Sequence, residues 1–161
     1  MVRANFIKTL PFILIIILAL LILLPGINKP FIGHHDWNGV FYNNIARNYL
    51  RYGYLAAKLG QVTDIGVKST KEFHYYTHYP PLFPLTLSLV FSLFGSSEII
   101  SRLVPIGFTL GGLILFYLIG RRLKLGSLAA FTSLVVVLTP MIRYFAKMPS
   151  QETLIIFFTC L

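Results

Sequence analysis

The feature that most constrains this chain is a series of long apolar runs without a single charge. Residues 10–27, 103–120 and 125–142 are each about 18 residues of almost unbroken aliphatic and aromatic side chains. At a rise of about 1.5 Å per residue, each is just long enough to cross a bilayer core. A fourth run, residues 82–95, is about 14 residues, a length typical of an interfacial or re-entrant helix. A last run, 153–161, is about half a span.

Composition agrees with this pattern. Of the 161 residues, 56% are hydrophobic and only 12% are charged. That is about half the charged share of a soluble domain, which excludes an ordinary soluble enzyme and a disordered tail. The single cysteine, Cys160, excludes an intrachain disulfide scaffold. Fourteen Lys and Arg against five Asp and Glu give a net charge of +9. The basic residues fall between apolar runs, as in membrane proteins that bias their cytoplasmic loops, so membrane lipids rather than nucleic acid are the expected partners. The expected fold is all-α: a multi-pass transmembrane helical protein, one module over residues 1–161, with interfacial amphipathic helices in a first extracytoplasmic loop, residues 28–102.

Charge placement orients the spans. Arg3 and Lys8 precede residues 10–27, and Pro25-Gly26-Ile27-Asn28 offers no signal-peptide cleavage pattern. The first run is therefore an uncleaved anchor with a cytoplasmic N-terminus. If residues 82–95 do not cross, Arg121, Arg122 and Lys124 reach the cytoplasm, in accord with the positive-inside rule. Asp36, His78 and Glu152 then share the extracytoplasmic side. Because residues 153–161 make only half a span, the chain is expected to be the N-terminal part of a longer polypeptide and inactive alone.

Three clusters carry candidate chemistry. The first is His34-His35-Asp36-Trp37. After it, Trp37, Phe41, Ile45, Tyr49 and Tyr52 recur at helical spacing, with Asn38, Asn44, Arg47, Asn48 and Arg51 opposite. Gly53 is placed to end this helix. The pattern predicts an amphipathic helix in the membrane surface, with its rings at headgroup level. Asp36 is open to two roles, the N-cap of the helix or an interfacial carboxylate serving as general base or metal ligand.

The second cluster, Phe73 to Pro81, is rich in His and Tyr. Pro80 and Pro81 stop any upstream helix and fix Thr77, His78 and Tyr79 at the start of the next one. Donors there can meet an anion such as a phosphate; the alternative is an aromatic interface belt. The third is Ser96 to Arg102. A Ser caps the following helix, Glu98 suits its first turn and pairs with Arg102, and Arg102 can also reach a lipid phosphate. Ser150 and Glu152 repeat the capping pattern before the final run, and Gly107 with Gly111 gives a G-x-x-x-G helix-packing spacing.

In their order, these pieces resemble the N-terminal part of the GT-C membrane glycosyltransferases. The nearest branch is that of protein O-mannosyltransferases and aminoarabinose transferases. The elements that carry the resemblance are HHDW, NNIARNYLRYG, HYPPLFPLTLSLVFSLFG, SRLVPIGFTLGGLILFYLIGRRL and TPMIRYFAKMPSQETLIIFF. The resemblance implies transfer of a sugar, with inversion, from a polyprenyl-phosphate donor to an extracytoplasmic protein, lipid or glycan. It implies Asp36 and Glu152 as catalytic carboxylates, and His78 or Tyr79 as the donor-phosphate contact. The residues themselves add Arg102 and His35 as candidate phosphate or substrate contacts, and leave a divalent metal on Asp36 and His78 as an option. Relatives carry Asp-Glu where this chain has Asp36-Trp37, and Lys or His where it has Tyr79. The rival expectations are a non-catalytic membrane scaffold, a truncated inactive chain and a transporter fragment. A transporter should hold ionisable groups within its spans, and the three long runs hold none.

Overall fold

The computed structural model of the chain describes residues 2–33 and 36–161, with side chains from residue 10 onward. Among them the fold is all-α apart from one two-residue hairpin. The helices are α1 (Val2–Leu23), α2 (Trp37–Tyr52), α3 (Leu82–Phe94), α4 (Glu98–Arg122), α5 (Leu128–Leu138), α6 (Pro140–Phe145) and α7 (Glu152–Cys160). Between α2 and α3, β1 (Gln61–Val62) pairs antiparallel with β2 (Tyr75–Tyr76), Gln61 opposite Tyr76 and Val62 opposite Tyr75. The chain divides into two compact units: Met1–Ile27, Pro105–Lys147 and Glu152–Leu161 form the first, and Asn28–Val104 with Met148–Gln151 the second.

The element bounds follow local chemistry. Gly53 ends α2 at a φ of 88°, a conformation that costs a glycine little. Gly95 ends α3 in the same way, at φ 81°. Ser97 caps α4 as expected, its Oγ accepting the Ile100 N–H. α4 starts at Glu98 rather than at residue 103, so the first loop is shorter than the sequence suggests. It is the one helix among the described residues that is long and apolar enough to cross a membrane; Leu10–Leu23, Leu82–Phe94 and Leu128–Leu138 are apolar but shorter. The expected span 125–142 is not one helix. Pro140 has no N–H to continue the ladder and forces Thr139 to an extended ψ of 122°, so α5 stops and α6 begins.

In the first unit, Ile15 and Ala19 of α1 pack against Leu113 of α4 and Val137 of α5. Phe12 stacks on Tyr117 at 4.0 Å. The close helix approaches occur at Gly120 and Gly111. A Cβ on Gly120 would come within 2.8 Å of Ala129, and one on Gly111 within 2.8 Å of the Phe157 ring. Gly107 has open space around it, so the G-x-x-x-G pair does not act as a unit.

In the second unit, α2 packs along α3 through Tyr42, Ile45, Tyr49, Phe83 and Leu87. The faces of α2 depart from the expected arrangement. Trp37 is 60% exposed, whereas Asn48, assigned to the polar side, is buried, as is Asn43. These asparagines have specific partners. Asn48 Nδ2 donates to the Val62 and Asp64 carbonyls, both at 2.8 Å, and Asn44 Nδ2 donates to Thr63 O at 2.8 Å. The Tyr49 hydroxyl donates to Leu59 O and the Tyr52 hydroxyl to Val67 O. The polar groups of α2 thus satisfy carbonyls of a loop whose own ladder is only two residues per strand, in keeping with the rule that buried backbone groups find partners.

Candidate functional site

Asp36 immediately precedes α2 but does not cap it. Its backbone is helical (φ −77°, ψ −2°), and its side chain makes no capping hydrogen bond. A capping side chain needs an extended backbone to reach the N2 or N3 amide. Instead, Asp36 Oδ2 turns back to accept the Gly33 N–H at 2.9 Å. Its other oxygen lies 3.8 Å from Arg102 Nη2, an ion pair without a direct hydrogen bond.

Arg102 is the buried cation of this site. It also donates from Nη2 to Lys29 O at 3.1 Å, and its guanidinium lies over the Phe31 ring at 4.1 Å. A guanidinium is planar and weakly hydrated, so it tolerates burial between a ring and a carboxylate better than an ammonium would. Two neighbours brace its helix turn: buried Ser101 donates to Asn43 Oδ1 of α2, and Ser97 supplies the cap. The expected Glu98–Arg102 pair is replaced by Arg102–Asp36, because the guanidinium points to the start of α2 rather than along its own helix.

The rings next to Asp36 form a continuous line. Trp37 stacks on Phe41 at 4.6 Å, Phe41 meets Tyr76 edge-on at 4.9 Å, and Tyr76 stacks on His78 at 5.1 Å. Tyr79 lies beside Tyr76 at 6.0 Å, and its carbonyl accepts from Gln61 Nε2. His78 and Tyr79 are therefore joined to the Asp36 end of α2 through aromatic contacts, and both side chains are exposed before α3. His34 and His35 lie outside the described residues.

Across the hairpin, Asp64 accepts the His74 backbone N–H and sits 2.7 Å from His74 Nδ1. The backbone bond first, and then the imidazole, hold the Asp64 carboxyl below its usual range. Burial, helped by the neighbouring Tyr54 phenol, pushes the Tyr49 hydroxyl up to about 12.

Glu152 belongs to the first unit and Asp36 to the second. Glu152 opens α7, as expected. Ser150 does not cap that helix; its hydroxyl donates to Met148 O. Among the described residues no three His, Cys, Asp or Glu side chains gather to hold a metal ion. Asp36 is engaged by Gly33 and Arg102, and His78 stacks on Tyr76.

Sequence reasoning missed Phe31 and Asn43. Phe31 and Asn43 gave no local signal, since their partners are distant in the chain. Compared with known protein families, curated proteins and solved structures, the chain matches none.

Proposed function

We propose that this chain is the N-terminal part of a multi-pass membrane glycosyltransferase that uses a polyprenyl-phosphate sugar. The observation that carries the proposal is the Asp36–Arg102 pair: a carboxylate and a buried guanidinium held 3.8 Å apart at the heads of α2 and α4. A transferase of this class needs a base for the acceptor and a cation for the departing phosphate. In the proposed step, Asp36 takes the proton from an acceptor hydroxyl or amine. The acceptor atom bonds to the anomeric carbon as the bond from that carbon to the phosphate oxygen breaks. The electron pair leaves with the lipid phosphate, and the configuration inverts. A carboxylate base contributes about 10²–10⁴-fold to such a step. Arg102, with His78 or Tyr79, would stabilise the charge developing on the phosphate. Glu152 is assigned no step.

Support for the membrane setting comes from α4, which has the length and composition of a span. α1, α3 and α5 supply further apolar helices, and Trp37 stands exposed as an interfacial ring would. The test uses the complete polypeptide in liposomes with a radiolabelled undecaprenyl- or dolichyl-phosphate sugar. Release of polyprenyl phosphate coupled to label on an acceptor is the expected result, and it should vanish in Asp36→Asn. Normal donor turnover with that variant would remove Asp36 from the mechanism. No turnover with either donor would favour a non-catalytic scaffold.

A further inference from the structure

In the first unit, a cavity of about 510 Å³ lies where α1 meets the end of α4 and the start of α5. Pro11, Tyr117, Arg121, Lys124, Ser127 and Ala130 line it. Arg121 and Lys124 bring positive charge, and no lining residue brings negative charge. The Arg121 guanidinium is fixed on the wall, where Nη1 donates to the Tyr117 hydroxyl at 3.1 Å. Tyr117 is itself buried and stacked on Phe12, so the cation rests on a packed ring. Lys124 comes to the same wall because the turn after α4 is tight. Its φ is 59°, and the next N–H, of Leu125, bonds back to Gly120 O at 3.0 Å. Ser127 adds a hydroxyl that makes no capping bond to α5. Arg121, Lys124 and Ser127 are all exposed residues.

Cations in the last turn of a helix often do no more than complement its dipole. Two features go further. Among the described residues no carboxylate pairs with Arg121 or Lys124, since the ion pairs there are Asp64–His74 and Asp36–Arg102. The charges also converge on one concavity: Arg122 carries the same charge as Arg121 but does not line it. Two cations beside two hydroxyls suit a phosphate, with the planar Arg121 fork spanning two oxygens and Lys124 acting as a point charge. The surroundings select the carrier. Leu118 and Ile119 on α4, and Leu128 and Phe131 on α5, stand exposed within a turn of the lining residues. α4 has the length and composition of a span, and a basic pocket at the end of a span lies at headgroup level. We propose that this cavity binds the phosphate of an anionic lipid, with the lipid chains against the exposed apolar residues of α4 and α5. The site rests on the membrane setting of the proposed function and on none of its sugar chemistry.

The full chain in detergent would be titrated with dioleoyl phosphatidic acid and followed by native mass spectrometry, with dioleoyl phosphatidylcholine and glycerol 3-phosphate as comparison ligands. A single phosphatidic acid should bind at about tenfold lower concentration than phosphatidylcholine. Glycerol 3-phosphate, the same head without chains, should not displace it at equal concentration. Arg121→Gln and Lys124→Gln should each weaken phosphatidic acid binding by about tenfold. Arg122→Gln removes the same charge outside the cavity and should change binding by less than about twofold. If Arg121→Gln does not fold, Lys124→Gln at its exposed position decides. No preference for phosphatidic acid, equal losses in Arg122→Gln and Lys124→Gln, or displacement by glycerol 3-phosphate would overturn the site. Lipid binding is read without any turnover, so a failure of sugar transfer is a separate result.

Discussion

Arg102 Nη2 lies 3.8 Å from the Asp36 carboxylate, joining the head of α4 to the head of α2. The Arg102 side chain is 10% exposed and that of Asp36 28%, so the cation is the more deeply committed partner. Removing the carboxylate therefore leaves a charge in a poorly solvated place. Asp36→Ala should lower stability by about 1–3 kcal/mol, less than for a fully buried pair because the carboxylate is partly exposed and makes no direct hydrogen bond to Arg102. Asp36→Asn should cost less, about 0.5–1.5 kcal/mol, because its oxygen still accepts from Gly33. With Asp36 as the proposed base, the same Asn variant should lower sugar transfer by about 10²-fold or more. Thermal midpoints and turnover measured on both variants separate the two effects. An Asn variant as stable as wild type would mean the pair contributes nothing to the fold.

Arg102→Lys keeps the charge but loses the planar fork and the stacking on Phe31. It should lower stability by about 1–2 kcal/mol, the range of a partly desolvated cation–π contact plus one hydrogen bond. A thermal midpoint unchanged by the Lys substitution would show that charge alone is sufficient at this position.

Asn48→Ala removes the donor shared by the Val62 and Asp64 carbonyls. A loss of about 2–4 kcal/mol is expected from two carbonyls left without their partner. Limited proteolysis should then cut residues 60–66 faster. Asn44→Ala removes one bond at a half-buried position and should have the smaller effect. Equal cutting in the two variants would contradict the arrangement.

The Asp64 carboxyl is held below its usual range in the folded chain by the His74 backbone N–H and imidazole. A depressed carboxyl pKa means the unfolded chain binds the proton more readily. The stabilisation is therefore complete above the unfolded value of about 3.9 and is lost as pH falls through the lower folded value. Amide exchange at Thr63 and His74, followed by mass spectrometry, should show protection falling in that acidic window. Asp64→Asn should flatten the profile, and a flat profile in the wild type would refute the linkage.

Topology is open to direct labelling. Single cysteines at positions 58, 124 and 147 in a Cys160→Ala background should react with an impermeant thiol reagent from outside at 58 and 147 only. Reaction at 124 in intact cells would invert the proposed orientation, because Lys124 belongs to the basic cluster expected in the cytoplasm.

Much of the helix map was legible in the chain because its signals act over a few residues. The 3.6-residue recurrence from Trp37 to Tyr52, the glycine stop at position 53, the Pro80-Pro81 start of α3 and the Ser97 cap need no distant partner. Pro140 was equally local: its missing N–H breaks residues 125–142 into α5 and α6, so the break was written in the sequence and outweighed by hydropathy. Partner choice was a different matter. Periodicity put Asn48 on a solvated face, and local position left Asp36 open between a cap and an interfacial carboxylate, since each residue type commonly does that work. Only the chain path decided otherwise, returning residues 62–64 to α2 and bringing Arg102 to Asp36. A hydrogen-bonding side chain shows in sequence what it can bind, whereas the group that it does bind depends on which distant backbone or charge the fold carries within about 3–4 Å.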